Sequence, residues 1–65
     1  VIRVGYVKTD GTEVIHETVS GAVNAKNSVE ALKSSKSGDS SVSYFYLESQ
    51  LTNVDWNRYA FVDPL

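Results

Sequence analysis

The step Asp10-Gly11 splits the opening stretch VIRVGYVKTDGTEVIHETV into two β-branched runs. Asp-Gly between alternating apolar runs is a strong hairpin signal, because both central positions of a type I′ turn need positive φ. A two-residue loop there pairs Lys8 with Glu13, Tyr6 with Ile15, Val4 with Glu17 and Ile2 with Val19. That register gathers Ile2, Val4, Tyr6, Ile15 and Val19 on one face and leaves a Lys-Glu pair at the tip. The competing three-residue loop, with Gly11 in a bulge, pairs Arg3 with Glu17 and scatters the apolar set.

Beyond this hairpin the period changes. In SGAVNAKNSVEALKSSKSG, Ala22, Ala25, Val29 and Leu32 recur at helical spacing. Asn27 with Glu30 has the layout of a capping box, Asn24 is an earlier candidate cap, and Gly38 suits a left-handed stop. The apolar stripe is narrow and rich in alanine, so the helix needs a sheet to lean on. Lys26, Lys33 and Lys36, with Glu30 among them, read as a solvated face with intrahelical pairing. Six of the ten residues 34–43 are serine, which reads as a frayed helix end and a solvated loop. A domain linker is disfavoured because the segment after it is too short for a second domain.

VSYFYLES and VDWNRYAFVD, joined by QLTN, predict a second hairpin. A four-residue loop sets Glu48 against Asp55, a like-charge pair. A bulge, or a turn capped by Asp55 that delays the last strand to about Arg58, relieves it. Pro64 cannot donate to a ladder and ends the strand. Two hairpins flanking one helix, ββαββ, predict one small α+β domain over residues 1–65, with the helix packed on one face of a four-stranded, mostly antiparallel sheet. This order of elements resembles the β-grasp arrangement of small immunoglobulin-binding domains.

A chain of 65 residues buries only about 60% of the surface its unfolded form exposes. Small domains often add a disulfide or a metal, yet this chain has no cysteine and one histidine. Structural zinc, which needs three or four nitrogen or sulfur ligands, is thereby disfavoured, and neither DGTE nor SGDSS has the spacing of a calcium loop. At 42% hydrophobic and 22% charged the composition is that of a folded domain. The net charge of −2 argues against nucleic acid. No apolar run approaches the roughly 18 residues of a membrane span, and VIRVGYV lacks the layout of a signal peptide, so the chain reads as soluble, in an unspecified compartment.

Catalytic sets are missing from the pattern. His16 alone titrates near neutrality when unperturbed, and strand alternation places it on the opposite face from Glu13 and Glu17. No serine sits in a Gly-x-Ser-x-Gly setting and no glycine-rich phosphate loop occurs. The expectation is a protein that is not an enzyme and uses no cofactor or metal.

Aromatic residues are the remaining signal. Of the seven, all but Tyr6 lie from Tyr44 onward. In VSYFYLES, Phe45 and Leu47 point to one face and Tyr44 and Tyr46 to the other. A single helix covers one face, so Phe45 and Leu47 are assigned to it, leaving Tyr44 and Tyr46 on the open side. Tyr and Trp are enriched at interface hot spots. Tyr44, Tyr46, Trp56 and Tyr59 are therefore the candidate partner-binding residues, the same tyrosines also being suited to cross-strand pairing. The function expected is a non-enzymatic protein-binding or assembly module that docks through an aromatic sheet face or an edge strand. Its partner is another protein or a second copy, with no membrane involved. An inhibitor occluding an enzyme's active site is one alternative; a single-stranded nucleic-acid or carbohydrate binder stacking on Tyr44, Tyr46 and Trp56 is another.

Overall fold

The computed structural model describes residues 1–52 and 54–64. Asn53, in the loop of the second predicted hairpin, lies outside them. The chain forms β1 (Ile2–Lys8), β2 (Glu13–Val19), α1 (Ala22–Ser35), β3 (Val42–Gln50) and β4 (Trp56–Val62), the ββαββ order expected. One four-stranded sheet results, in the order β2-β1-β3-β4, and every neighbouring pair is antiparallel. The first strands of the two hairpins thus lie at the centre and the second strands at the edges. β2 and β3 run parallel with β1 between them, and such strands need a crossover connection. Helix α1 supplies it, lying over β1, β2 and β3.

The core lies between helix and sheet. Val4, Tyr6, Val42, Phe45 and Leu47 face Ala25, Val29 and Leu32 of α1, with Ile2, Val14, Val19, Ala60 and Val62 packed around them. Fully burying a side chain the size of leucine stabilises a fold by about 1.5–3 kcal/mol, so this small set holds the helix in place. No described helix is long and apolar enough to cross a membrane.

The helix begins earlier than its candidate caps. Gly21 is the N-cap, with φ at 88° and no side-chain capping bond, and its carbonyl accepts from the Ala25 N–H at 3.1 Å. Asn24 lies inside the first turn and donates to the Ser20 carbonyl at 2.8 Å, while Asn27 is in mid-helix. Ala22 is exposed; Ser28 is buried beside Ala25, Val29 and Leu32. Gly38, at φ 82°, lies in the turn beyond the Lys36 C-cap.

Each of the three ladders carries one irregularity, which leaves an extra residue on β2 at His16, on β3 at Ser43 and on β4 at Tyr59. The first hairpin turn is a three-residue loop: the Lys8 N–H donates to the Thr12 carbonyl at 2.8 Å and the Gly11 N–H to the Lys8 carbonyl at 2.9 Å. Gly11, at φ 91°, takes the left-handed position that such a loop requires, and the expected two-residue turn does not form. Near the tip Tyr6 therefore pairs with Val14 and Val7 with Glu13. The bulge at His16 then restores the expected pairs Val4–Glu17 and Ile2–Val19. Its consequence is that Val14, not Ile15, joins the core, while Ile15 stays 53% exposed.

In the second hairpin Gln50 pairs with Trp56 and Glu48 with Arg58, and the bulge at Tyr59 precedes Leu47–Ala60 and Tyr46–Phe61. The longer loop alone replaces the unfavourable Glu48–Asp55 pairing with one of opposite charges, and the bulge at Tyr59 follows it. Asp55 closes the loop: its carbonyl accepts from the Leu51 N–H at 2.9 Å and its carboxylate from the Thr52 hydroxyl at 3.1 Å.

Candidate outer-face and edge surface

Among the described residues, none forms a second layer on the face of the sheet away from α1. Its residues are set by the register: Arg3, Gly5 and Val7 on β1 stand opposite Glu48, Tyr46 and Tyr44 on β3, and Glu48, Tyr46 and Gln50 stand opposite Arg58, Phe61 and Trp56 on β4. Long side chains close this face over themselves. Tyr46 lies across β1 at Gly5, where a Cβ would come within 2.5 Å of the Tyr46 hydroxyl and of the Val14 carbonyl oxygen. Gly5 is therefore a close-approach glycine, leaving the room that the phenol occupies.

Arg58 lies over the Tyr46 ring with its guanidinium carbon 4.0 Å from the centroid, and ion-pairs with Glu13 of the opposite edge strand. Glu13 thus meets Arg58 instead of the expected Lys8. Arg3 is arranged alike: its guanidinium carbon is 3.9 Å from the Trp56 centroid, and Nη2 donates to Glu48 Oε2 at 3.0 Å. Glu48 Oε1 is 3.4 Å from Arg58 Nε. One buried carboxylate is thereby shared by two guanidiniums, with Glu13 supplying the second negative charge at Arg58, and each guanidinium is stacked on an aromatic ring, an arrangement favourable for a cation whose other surface is apolar. Arg3 Nε is left buried without an acceptor among the described residues. Burial, reinforced by the Glu48 carboxylate, pushes the Tyr46 hydroxyl above its ordinary value.

The four candidate residues consequently fall into different environments. Tyr46 is 1% exposed and lies beneath Arg58; it offers almost no surface. Trp56 is half-buried beneath Arg3. Tyr44 is half-buried and meets Phe61 edge-on, with centroids 5.7 Å apart. Tyr59 is 47% exposed on the edge strand. Phe61, not among the candidates, is the most exposed described aromatic at 64%. The bulge is what a simple alternation count misses, since it sets Phe61 on the same face as Trp56.

Exposed apolar side chains concentrate here. Leu51 and Val54 in the loop and Tyr59 and Phe61 on β4 are all exposed, along a strand that pairs on one side only. The other edge, β2, carries Glu13, His16 and Glu17 beside Ile15.

One polar cluster lies elsewhere. The Ser28 hydroxyl donates to Glu17 Oε2, and His16 Nε2 is 3.6 Å from the same oxygen. Alternation predicts His16 and Glu17 on opposite faces; the bulge at His16 brings them together. The carboxylate lies between hydroxyl and imidazole, so the imidazole does not contact the proton it would need to accept for Ser28 to become a nucleophile. The cluster ties α1 to β2. Among the described residues no group of three His, Asp or Glu side chains is placed to hold a metal ion, and no concave pocket forms. No family model, curated protein or solved structure matches the chain.

Proposed function

We propose that this chain is a non-enzymatic protein-binding module that docks its partner along β4. The observation that carries the reading is the coincidence of two features on one strand: unpaired backbone groups and the exposed side chains of Tyr59 and Phe61, extended by Leu51 and Val54 of the preceding loop. An added strand gains main-chain hydrogen bonds from such an edge and specificity from alternate side chains. Of the four candidate residues, Tyr59 meets the partner directly, Trp56 and Tyr44 flank it, and Tyr46 supports the face from beneath. The rings of Tyr46 and Trp56 each carry a guanidinium on one side, which favours protein docking over a stacking platform for bases or sugars.

A photoreactive phenylalanine analogue at Phe61, compared with one at the exposed helix position Val23, tests the reading. Partner cross-linking from Phe61 but not from Val23, reduced by Tyr59→Ser with an unchanged circular dichroism spectrum, is the expected result. Equal cross-linking from both positions would overturn it.

A further inference from the structure

Between Trp56 and Phe61 the side chains of β4 mirror about a midpoint. The series Trp56, Asn57, Arg58 runs aromatic, small, long; Tyr59, Ala60, Phe61 runs long, small, aromatic. About a two-fold axis position i of one copy meets j of the other and j meets i, so a pattern that pairs aromatic with aromatic at both ends satisfies both contacts at once. The bulge completes it. Trp56 and Phe61 are an odd number of positions apart and would point to opposite faces of a regular strand, but the extra residue at Tyr59 sets both on the outer face, opposite Gln50 and Tyr46.

An antiparallel copy with its axis between Arg58 and Tyr59 therefore places Trp56 against Phe61 on the outer face and Asn57 against Ala60 on the helix face. A one-residue slip sets each aromatic against a residue of the other face. In the matched register the Tyr44–Phe61 contact continues across the junction to Trp56 of the second copy.

Charge and access agree with this pairing. Arg58 is the one charged residue of β4, and its guanidinium is drawn inward over Tyr46 toward Glu48 and Glu13, so the two arginines nearest the axis turn away from each other. The one charge of β4 is thus withdrawn from the edge, whereas β2 carries two glutamates and a histidine; charged side chains are a common protection against edge-to-edge pairing. Helix α1 lies over β1, β2 and β3 and leaves the approach open.

We propose that the chain forms a symmetric homodimer by antiparallel pairing of β4 with β4 of a second copy, in the register that sets Trp56 against Phe61. This rests on β4 being the docking edge and adds the identity of the partner.

The test is sedimentation equilibrium of the intact chain over a wide concentration range, for the wild type, Tyr59→Lys and Ile15→Lys. A wild-type dimer, lost in Tyr59→Lys and retained in Ile15→Lys with unchanged circular dichroism, is expected. Register is read from Asn57→Cys and Ala60→Cys, since the native chain has no cysteine: mild oxidation should give a covalent dimer from the mixed variants and far less from either alone. A wild type that stays monomeric, a dimer lost in Ile15→Lys instead, or equal cross-linking without mixing each overturns the proposal. A monomer whose Phe61 photoprobe still captures another protein in a Tyr59-dependent way overturns the homodimer and leaves β4 as the docking edge. A monomer without such capture overturns both.

Discussion

The Arg58 guanidinium lies 4.0 Å from the centroid of the Tyr46 ring, covering an aromatic that has no second layer of structure above it among the described residues. An open sheet face is thereby closed by one long side chain per ring, and the apolar body of the tyrosine is withdrawn from water without a second helix. The same device covers Trp56 with Arg3. Glu48 contacts both arginines, so it is the one carboxylate that links the two stacked pairs, Glu13 meeting Arg58 alone.

Replacing Glu48 with alanine should leave two neighbouring guanidiniums without their shared counter-charge. A loss of about 2–3 kcal/mol is expected, below the roughly 3–5 kcal/mol for breaking a fully buried pair because both arginines keep some contact with water. Urea denaturation followed by Trp56 fluorescence, at one fixed protein concentration, measures it. An effect within about 0.5 kcal/mol, as for an ordinary surface substitution, would show that the network contributes little.

At Gly5 the expected change is steric. Gly5→Ala drives a methyl group against the Tyr46 ring and the Val14 carbonyl, at a cost of about 1–3 kcal/mol, the usual range for overpacking. The Val14 carbonyl is backbone, so adding Tyr46→Ala relieves only part of the clash. Full recovery in the double variant, after allowance for Tyr46→Ala alone, would place the whole strain on the tyrosine.

Val14 and Ile15 separate the two hairpin registers. Val14→Ala should cost about 1 kcal/mol, since Val14 packs against the core, while Ile15→Ala, at an exposed position, should stay within about 0.5 kcal/mol. A reversed order of effects in thermal or urea denaturation would remove the bulge at His16.

Stability should fall toward both ends of the pH scale, for different groups. The Tyr46 hydroxyl is held above its ordinary value near 10 by burial and then by Glu48, so the folded chain retains a proton that the unfolded chain releases. That contribution is fully present below pH 10 and is lost as pH rises through the folded value. Asp10 and Asp39 are held below their ordinary 3.8, Asp10 first by the Thr12 N–H and Asp39 first by the Ser41 hydroxyl. Their contribution is present above pH 3.8 and is lost as pH falls through the folded values. Urea midpoints against pH check both arms: Tyr46→Phe should flatten the alkaline arm and leave the acid arm unchanged.

Much of the fold is legible in the sequence. Asp10-Gly11 marks the first turn, the spacing of Ala25, Val29 and Leu32 marks the helix, and Phe45 and Leu47 face it as alternation implies. The bulges are not legible in the same way. Val14 and Ile15 are adjacent and both apolar, so alternation accepts either as the core residue, and only the three-residue turn with its compensating bulge decides between them. The helix start is obscured because Gly21 offers no side-chain cap to recognise. On the outer face the aromatics are visible in the sequence, but Arg3 and Arg58 look there like solvated strand residues. Only the register shows that they are spaced to stack on Trp56 and Tyr46, and that Phe61 shares their face.

Because α1 lies over β1, β2 and β3 while β4 reaches the core only through Ala60 and Val62, the molecule divides energetically into a helix-backed kernel and a peripheral strand. β4 is attached through its ladder to β3, through Ala60 and Val62 at the border of the core, and through the Trp56, Arg58 and Phe61 side chains on the outer face, so its loss would leave the backbone seat of the helix on the other three strands. Its amides should exchange with solvent through a local opening of lower free energy than global unfolding. Whatever pairs with β4 would slow that opening, making the occupancy of this edge measurable as a change in the kinetics of one strand.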